Sequence, residues 1–397
     1  MTLLGEASVM PTYARYPLTL TRGEGMQVWD DHGRAYVDFA GALGAVSLGH
    51  GHPRWRRAVH DQIDRLTMVS NLYATEPQAE LADLLSGVLP IPDAQVFFCN
   101  SGAEANEASL KLVRKHGLAR GRAKIVALEG AFHGRSVATL AATGQPAKRA
   151  AFEPLVDWFV HVPPNDLAAL DGALGGDVAA VLLEPVMGEG GVIPLDDDYL
   201  RVVRDLCSER GALLVADEVQ SGIGRCGDWL AASRSGVVPD VVSLAKGLGG
   251  GLPIGACVAR ADIAFAPGDH ASTFGAGPVP CAAGVAVIET IRDDGLLENA
   301  RSQGTDLRAR LEASVGGSLL AQVRGRGLLV GLVLHRPVAH DVALAMLARG
   351  VLVTEAGPDV VRMSPPLIVQ GEHLERAVTA FEGALEEVGA AVVGSPA

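Results

Sequence analysis

No uninterrupted apolar run in this 397-residue chain reaches the ~20 residues that a membrane span needs, and the first residues, with Glu6 and Pro11, lack the basic start and apolar stretch of an export signal. Both absences point to an unanchored, cytoplasmic protein. Cysteine is scarce: the five, at positions 99, 207, 226, 257 and 281, are odd in number, lie far apart and form no CxxC pair, which argues against a disulfide framework or a zinc site. Positive charge is short as well, with 33 Lys and Arg against 46 Asp and Glu. The resulting net charge of −13 repels phosphate backbones and anionic lipid surfaces. Nucleic acid and membranes are therefore not expected partners. Aromatic residues make up only 5% of the chain, whereas 48% is apolar and 48 glycines and 22 prolines punctuate it. That composition suits an Ala/Val/Leu-rich α/β protein with many tight turns.

At this length, a large domain with a smaller companion is a common arrangement. Short β-rich runs, at 96–99, 124–127, 180–183, 213–216, 241–244 and 256–259, alternate with helical patterns. Continuous apolar runs of this kind read as buried strands of a mainly parallel sheet. In an open α/β sheet the ligand crevice lies at the carboxyl ends of the strands. Four of the runs lead into polar residues there: Asn100-Ser101, Glu184, Asp217-Glu218 and Lys246. Further on the character changes, with helical stretches around 296–313 and 372–388 flanking a strand-like run at 328–334 and a turn-rich segment around Pro358. The expected organisation is a large domain over residues 46–290, a small α+β domain over 291–397, and an N-terminal segment, 1–45, that joins the small domain.

Ser101-Gly102-Ala103-Glu104 opens a helix whose apolar stripe is Ala105, Ala108 and Leu112. Ser101 and Glu104 form a capping box, while Lys115, His116 and Gly117 supply a basic last turn and a glycine stop. The start of such a helix holds a phosphate by free N–H groups and dipole together; taken alone, the segment reads rather as an ordinary strand-to-helix turn with a good cap. Asp217, at a strand end, is placed to keep a heterocyclic nitrogen protonated and so make a pyridine ring an electron sink, or to be a satisfied loop carboxylate. Lys246 also follows a strand, in Ser-Leu-Ala-Lys-Gly-Leu-Gly-Gly-Gly. Desolvation among such neighbours disfavours its cation and makes it a better nucleophile toward an aldehyde; the alternative is a surface lysine beside a flexible loop. A Walker-type loop would place the lysine after the glycines, and no GxGxxG opens a βαβ unit, so a nucleotide loop is not expected. His50 and His52 look like a ligand pair but lack a third ligand at suitable spacing. No metal site is expected.

Together these residues resemble a known family. Ser-Gly-Ala-Glu-Ala-Asn at 101–106, Phe-His-Gly-Arg at 132–135, Glu-Pro-Val-Met-Gly-Glu-Gly-Gly at 184–191, Asp-Glu-Val-Gln-Ser-Gly-Ile-Gly-Arg at 217–225 and the surroundings of Lys246 look like the class III pyridoxal-phosphate aminotransferases, in particular the acetylornithine branch. The likeness runs from Met10-Pro-Thr-Tyr to Arg362-Met-Ser-Pro-Pro-Leu. It implies an α/β protein of fold type I, a homodimer with shared active sites, and pyridoxal 5′-phosphate carried covalently on Lys246. By motif match, Gly102 and Ala103, with Ser101 beside them, bind the phosphate, and Thr273 of the other subunit completes the cradle. Phe132 stacks on the pyridine ring, with His133 next to it; Val219 covers the opposite face, Asp217 pairs with the ring nitrogen and Gln220 reaches the ring hydroxyl.

The resemblance also assigns substrate recognition to Tyr13, Arg135, Glu189 and Arg362. Arg135 would hold the α-carboxylate of the amino donor and Arg362 a carboxylate of 2-oxoglutarate, since the guanidinium fork suits carboxylates. Glu189 matches the family's gate, masking Arg362 while an ω-amino donor is bound. The implied reaction moves the terminal amino group of N-acetylornithine, or a similar ω-amino acid, to 2-oxoglutarate by a ping-pong mechanism, within arginine biosynthesis or a specialised pathway. Two positions depart from the branch. Gly275-Ala-Gly-Pro278 replaces Gly-Gly-Asn-Pro, losing an asparagine side chain, and Leu43 stands where ornithine δ-aminotransferases carry tyrosine, which agrees better with acetylornithine or γ-aminobutyrate enzymes. The rival readings are another ω-aminotransferase (γ-aminobutyrate, diamine, ornithine or a specialised donor), an aminomutase, which would not depend on 2-oxoglutarate, and a non-enzymatic binding protein, which would refuse the cofactor.

Overall fold

The computed structural model describes residues 8–315 and 319–394. Its central sheet has seven strands in the spatial order Ala94–Cys99, Gly255–Arg260, Val241–Leu244, Leu213–Asp217, Val178–Leu183, Lys124–Leu128 and Phe159–Val162. Gly255–Arg260 runs antiparallel to both neighbours, and the other pairings are parallel. All six expected runs lie in this mainly parallel sheet. Val178–Leu183, Leu213–Asp217 and Val241–Leu244 are buried along their whole length, which is why they read as unbroken apolar stretches. The seventh strand, Phe159–Val162, sits at the sheet edge and alternates exposed Val160 with half-buried Phe159 and His161, so no apolar run announces it.

The two-residue period of the strands sorts side chains onto two helical layers. Ala180 and Leu182 join Ala108 and Leu112 of helix Gly102–Leu118 in one apolar cluster, while Val181 and Leu183 join Leu200 and Val203 of helix Asp197–Arg210 in another. Ser101 caps the first of these helices, accepting from Glu104 N at 3.2 Å, and the Glu104 carboxylate reaches back to Asn100 N at 2.8 Å. Gly117 is not the stop that the sequence suggested. The helix runs on to Leu118, and Gly117 is a packing residue: a β-carbon there would come 2.5 Å from Ala179 Cβ and 2.8 Å from Arg122 O.

Two smaller sheets complete the chain. Leu20–Glu24, Gln27–Asp30 and Ala35–Asp38 form an antiparallel ribbon to which Val351–Leu352 adds in parallel. Leu320–Arg326, Leu329–Leu334, Val360–Met363 and Thr354–Glu355 form an antiparallel sheet. The run expected at 328–334 is thus the second arm of a hairpin that turns at Gly327, whose first arm is masked in the sequence by Gln322, Arg324 and Arg326. One apolar core, from Phe39 and Leu81 through Leu248 and Val287 to Val361 and Phe381, links these sheets to the central one. Among the described residues, no helix is long and apolar enough to cross a membrane.

The contact at Gly117 leads to a prediction. Gly117→Ala overpacks the helix–sheet seam and should lower stability by about 1–3 kcal/mol, seen as a fall of several degrees in the melting temperature of the apoprotein. Gly176→Ala, where nothing lies within 4 Å of the new methyl group, serves as the control. An unchanged midpoint for the Gly117 variant would show that the seam is loose.

Candidate active site

The carboxyl ends of the parallel strands open into a cavity of about 460 Å³, within the ordinary range of small-molecule sites. The antiparallel strand contributes from its amino end. Gly251, Leu252, Pro253 and Ile254 line the cavity, and Gly255 packs so closely that a β-carbon would sit 2.5 Å from Ser101 O. Opposite them lies the first turn of helix Gly102–Leu118, with Ser101, Gly102 and Ala103 in the wall. The first turn of a helix leaves N–H groups without intrahelical partners. A side chain at 102 would meet Val219 Cγ1 at 2.6 Å, so glycine is what lets helix and Val219 close on each other.

Asp217 ends strand Leu213–Asp217, its backbone in register with Ser243, three residues before Lys246 on the adjacent strand and turn. Both residues line the cavity. The carboxylate is buried and its orientation is fixed from three sides. Oδ2 accepts from Asn106 Nδ2 at 2.6 Å and lies 2.8 Å from His133 Nδ1; Oδ1 accepts from Val219 N at 3.0 Å. A hydrogen bond from the ring to this carboxylate oxygen places a proton on His133 Nδ1. His133 Nε2 is buried without a partner among the described residues. Asn106 also binds His133 O at 2.8 Å, tying the strand end to the 132–135 loop.

Lys246 has φ +42°, in the left-handed region where a non-glycine residue is strained. Burial, and next the positive charge of Arg362, pull its amine from 10.5 down to about 8, while Glu189, Glu184 and Asp217 act in the other direction. A fraction of the amine is thus neutral and nucleophilic near pH 7. Glu184 is buried and moves oppositely, up to about 7, because of desolvation first and the charge of Asp217 second. It accepts from Phe132 N at 2.9 Å through Oε1 and from Gly188 N at 3.1 Å through Oε2, so one carboxylate fastens the Phe132 loop to the Glu189 loop.

Arg362 is 2% exposed. It projects from strand Val360–Met363 and donates through Nη1 to Glu189 Oε1 at 2.5 Å and to Gly188 O at 3.2 Å, with Thr354 Oγ1 3.1 Å from Nε. The pair holds the Glu189 carboxyl below its ordinary range against the upward pull of burial. Gln220 points its Oε1 toward Arg362 Nη1 at 3.4 Å. Arg135 and Lys148 both lie over the Phe132 ring, 5.6 and 4.8 Å from its centroid.

The cavity wall therefore brings together Lys246, Asp217, Ser101, Gly102, Ala103, Phe132, His133, Val219, Gln220, Arg135 and Glu189. Arg362 stands behind it, in contact with Glu189 and Gln220. Tyr13, 79% exposed, and Thr273, also exposed, do not line the cavity of their own chain. Gly277 caps helix Pro278–Asp293 and faces Phe274 O and Pro280, so the missing asparagine is a change at a helix start in this chain. His50 Nε2 lies 2.8 Å from Asp38 Oδ2, away from the site. Asn106, Glu184 and Lys148 had no role assigned from sequence. The first two lie in quoted motifs, and only the fold reveals their partners; Lys148 carries no sequence signal.

The model of the aminotransferase class-III family matches residues 9–385. The chain is 49% identical to the acetylornithine aminotransferase of Mycolicibacterium smegmatis, over 96% of this chain and 97% of that one. It is 43% identical to that of Caldanaerobacter subterraneus, over 96% and 98% of the two chains. Among solved structures, the ornithine aminotransferase of Toxoplasma gondii superposes with a TM-score of 0.93 at 30% identity, covering 98% of this chain and 94% of that one. The acetylornithine aminotransferase of Elizabethkingia anophelis superposes with a TM-score of 0.86 at 32% identity, covering 96% and 97%. A family match over almost the whole length, with near-complete relatives at this identity, leaves one conclusion: the chain belongs to the class III aminotransferases.

Proposed function

We propose that the protein is a pyridoxal-phosphate-dependent aminotransferase that moves the terminal amino group of N-acetylornithine to 2-oxoglutarate, in two half-reactions on one site. The observation that carries the reading is that Asp217, at the end of one strand, and Lys246, just beyond the end of the adjacent strand, line one cavity. The residues present fit the cofactor. There is a depressed amine for its aldehyde, a buried carboxylate for its ring nitrogen, the flat face of Phe132 and the branched face of Val219 for its ring, and a helix start at Ser101, Gly102 and Ala103 for its phosphate. Gln220 and His133 complete its polar surroundings. When bound, pyridoxal phosphate supplies an electron-withdrawing ring that stabilises negative charge on the amine-bearing carbon of the substrate.

The chain's own residues do the rest. Lys246 Nζ, neutral in part near pH 7, would hold the cofactor through its aldehyde and, as a free amine, would take the proton from the amine-bearing carbon of the substrate as a general base. Asp217, held by Asn106, His133 and Val219, would pair with the ring nitrogen and favour its protonated form. Arg135 takes the α-carboxylate of the donor, and Tyr13 joins it at the entrance. Glu189 covers Arg362 while the donor is bound, and yields it to a carboxylate of 2-oxoglutarate in the second half-reaction. The buried guanidinium gives that dicarboxylate a strong, directional partner.

The same reading includes a homodimer, in which the partner brings its own copy of Thr273 to this cavity. Support comes from an apolar surface on the segment around Thr273: Phe274 is 66% exposed and Leu72 89%, and Asn71 Nδ2 joins their two segments by bonds to Ser272 O and Gly275 O. It also includes a cytoplasmic location, and a division into a large domain over 46–290 and a small one over 291–397 joined by 1–45. For the donor, support comes from the names of the relatives at 43–49% identity and from Leu43, an aliphatic residue whose carbonyl faces Gln220 Nε2 at 3.5 Å.

Lys246→Ala is expected to lose both the visible absorbance of bound cofactor and turnover; a variant that keeps both ends the assignment. Half-reaction spectra with N-acetylornithine, ornithine, γ-aminobutyrate and lysine should show the first reacting fastest, and a faster γ-aminobutyrate would replace the donor while leaving the reaction class intact. The amine also makes a pH prediction. Because only neutral Lys246 attacks an aldehyde, uptake of pyridoxal phosphate by the apoprotein, followed by stopped-flow absorbance, should rise about tenfold per pH unit on the acid side and level off above about 8. A rise continuing to pH 10 would mean an ordinary lysine.

A further inference from the structure

Glu189 serves two cations with its two oxygens. Oε1 pairs with Arg362 Nη1 at 2.5 Å, and Oε2 faces Lys148 Nζ at 3.8 Å. The cations differ in mobility. Arg362 is fixed in a strand and bonded to Thr354 Oγ1, Gly188 O and Glu355 O. None of these three bonds involves the Glu189 carboxylate. Lys148 extends a flexible stem from the short helix Pro146–Arg149, with its side chain 25% exposed and its ammonium over the Phe132 ring. It does not line the cavity, and Glu189 does. No step described above uses it.

We propose that Lys148 is the second docking point of the Glu189 gate: when a dicarboxylate acceptor occupies Arg362, the Glu189 carboxylate transfers to the Lys148 ammonium. The inference rests on the gate reading of Glu189 and Arg362. A carboxylate displaced from a buried guanidinium would otherwise stay unpaired where its side chain is only 24% exposed, which is unfavourable. Glu189 is already within ion-pair distance of Lys148, so a small side-chain rotation completes the exchange without moving the backbone. Arg135, the other cation over Phe132, remains free for the substrate's second carboxylate. Lys148 thereby sets how readily one cavity changes from accepting a donor to accepting a dianion. It is a positioning residue, acting on the substrate through Glu189.

The test is a double-mutant cycle on cofactor-loaded enzyme, read by calorimetric binding of glutarate, a five-carbon dicarboxylate without the oxo group that reaction requires. Lys148→Met should weaken glutarate binding about tenfold, the scale of a coupled charge pair, and Lys148→Arg should restore most of it. Glu189→Gln should tighten it, because Arg362 is then uncovered. In the Glu189→Gln background, Lys148→Met should have no further effect. If Lys148→Met weakens glutarate equally in both backgrounds, the lysine touches the dicarboxylate directly and the inference is wrong. If Glu189→Gln tightens binding but Lys148→Met alone changes nothing, the gate stands and the role of Lys148 falls. If Glu189→Gln does not tighten binding, the gate reading itself fails and takes this inference with it.

Discussion

A carboxylate buried at the end of a sheet strand is the constraint around which the site is organised. Taken out of water, Asp217 needs compensation, and the fold supplies it from three separate elements: helix Gly102–Leu118 through Asn106, the 132–135 loop through His133, and the strand's own continuation through Val219 N. Because these bonds converge on one group, satisfying the charge also sets the relative positions of helix, loop and sheet. The aromatic face of Phe132, the branched face of Val219 and the helix start at Gly102 are carried along with it.

A second buried carboxylate extends that order outward. Glu184 joins the Phe132 loop to the Gly188-Glu189 turn through two backbone N–H groups, and the turn in turn meets Arg362 from the C-terminal antiparallel sheet. A chain of hydrogen bonds therefore runs from the Phe132 loop across the cavity to Arg362. Lys246, within the field of these groups, has its amine pulled down by burial and by Arg362. Structural pairing and chemical tuning share the same atoms.

The strands that hold the site were legible because they are buried on both faces: Val178–Leu183 and Leu213–Asp217 have no polar position to interrupt them. Edge strand Phe159–Val162 and hairpin arm Leu320–Arg326, being partly exposed, carry mixed sequences and gave no such signal. Lys246, Asp217 and Glu189 stood out through local motifs, and the cavity gathers them. Asn106 and Glu184 lie within those motifs too, yet their work is done across 111 and 52 residues of sequence, on Asp217 and Phe132. No local pattern encodes such partners. Gly117 misled for the same reason: a glycine near a helix end reads as a stop, whereas here its smallness answers to Ala179, on a strand more than sixty positions away.

The reversed strand Gly255–Arg260 leaves its mark on the lysine. A parallel neighbour would have required the chain to travel to the far side of the sheet and back; the antiparallel one lets the segment after Lys246 turn round and re-enter beside the strand it has just left. Lys246 therefore sits in a short loop tethered at both feet on the same rim. With both ends of the loop fixed in neighbouring strands, the backbone under Lys246 is held in place, and reorientation of its amine is left to the four-carbon side chain.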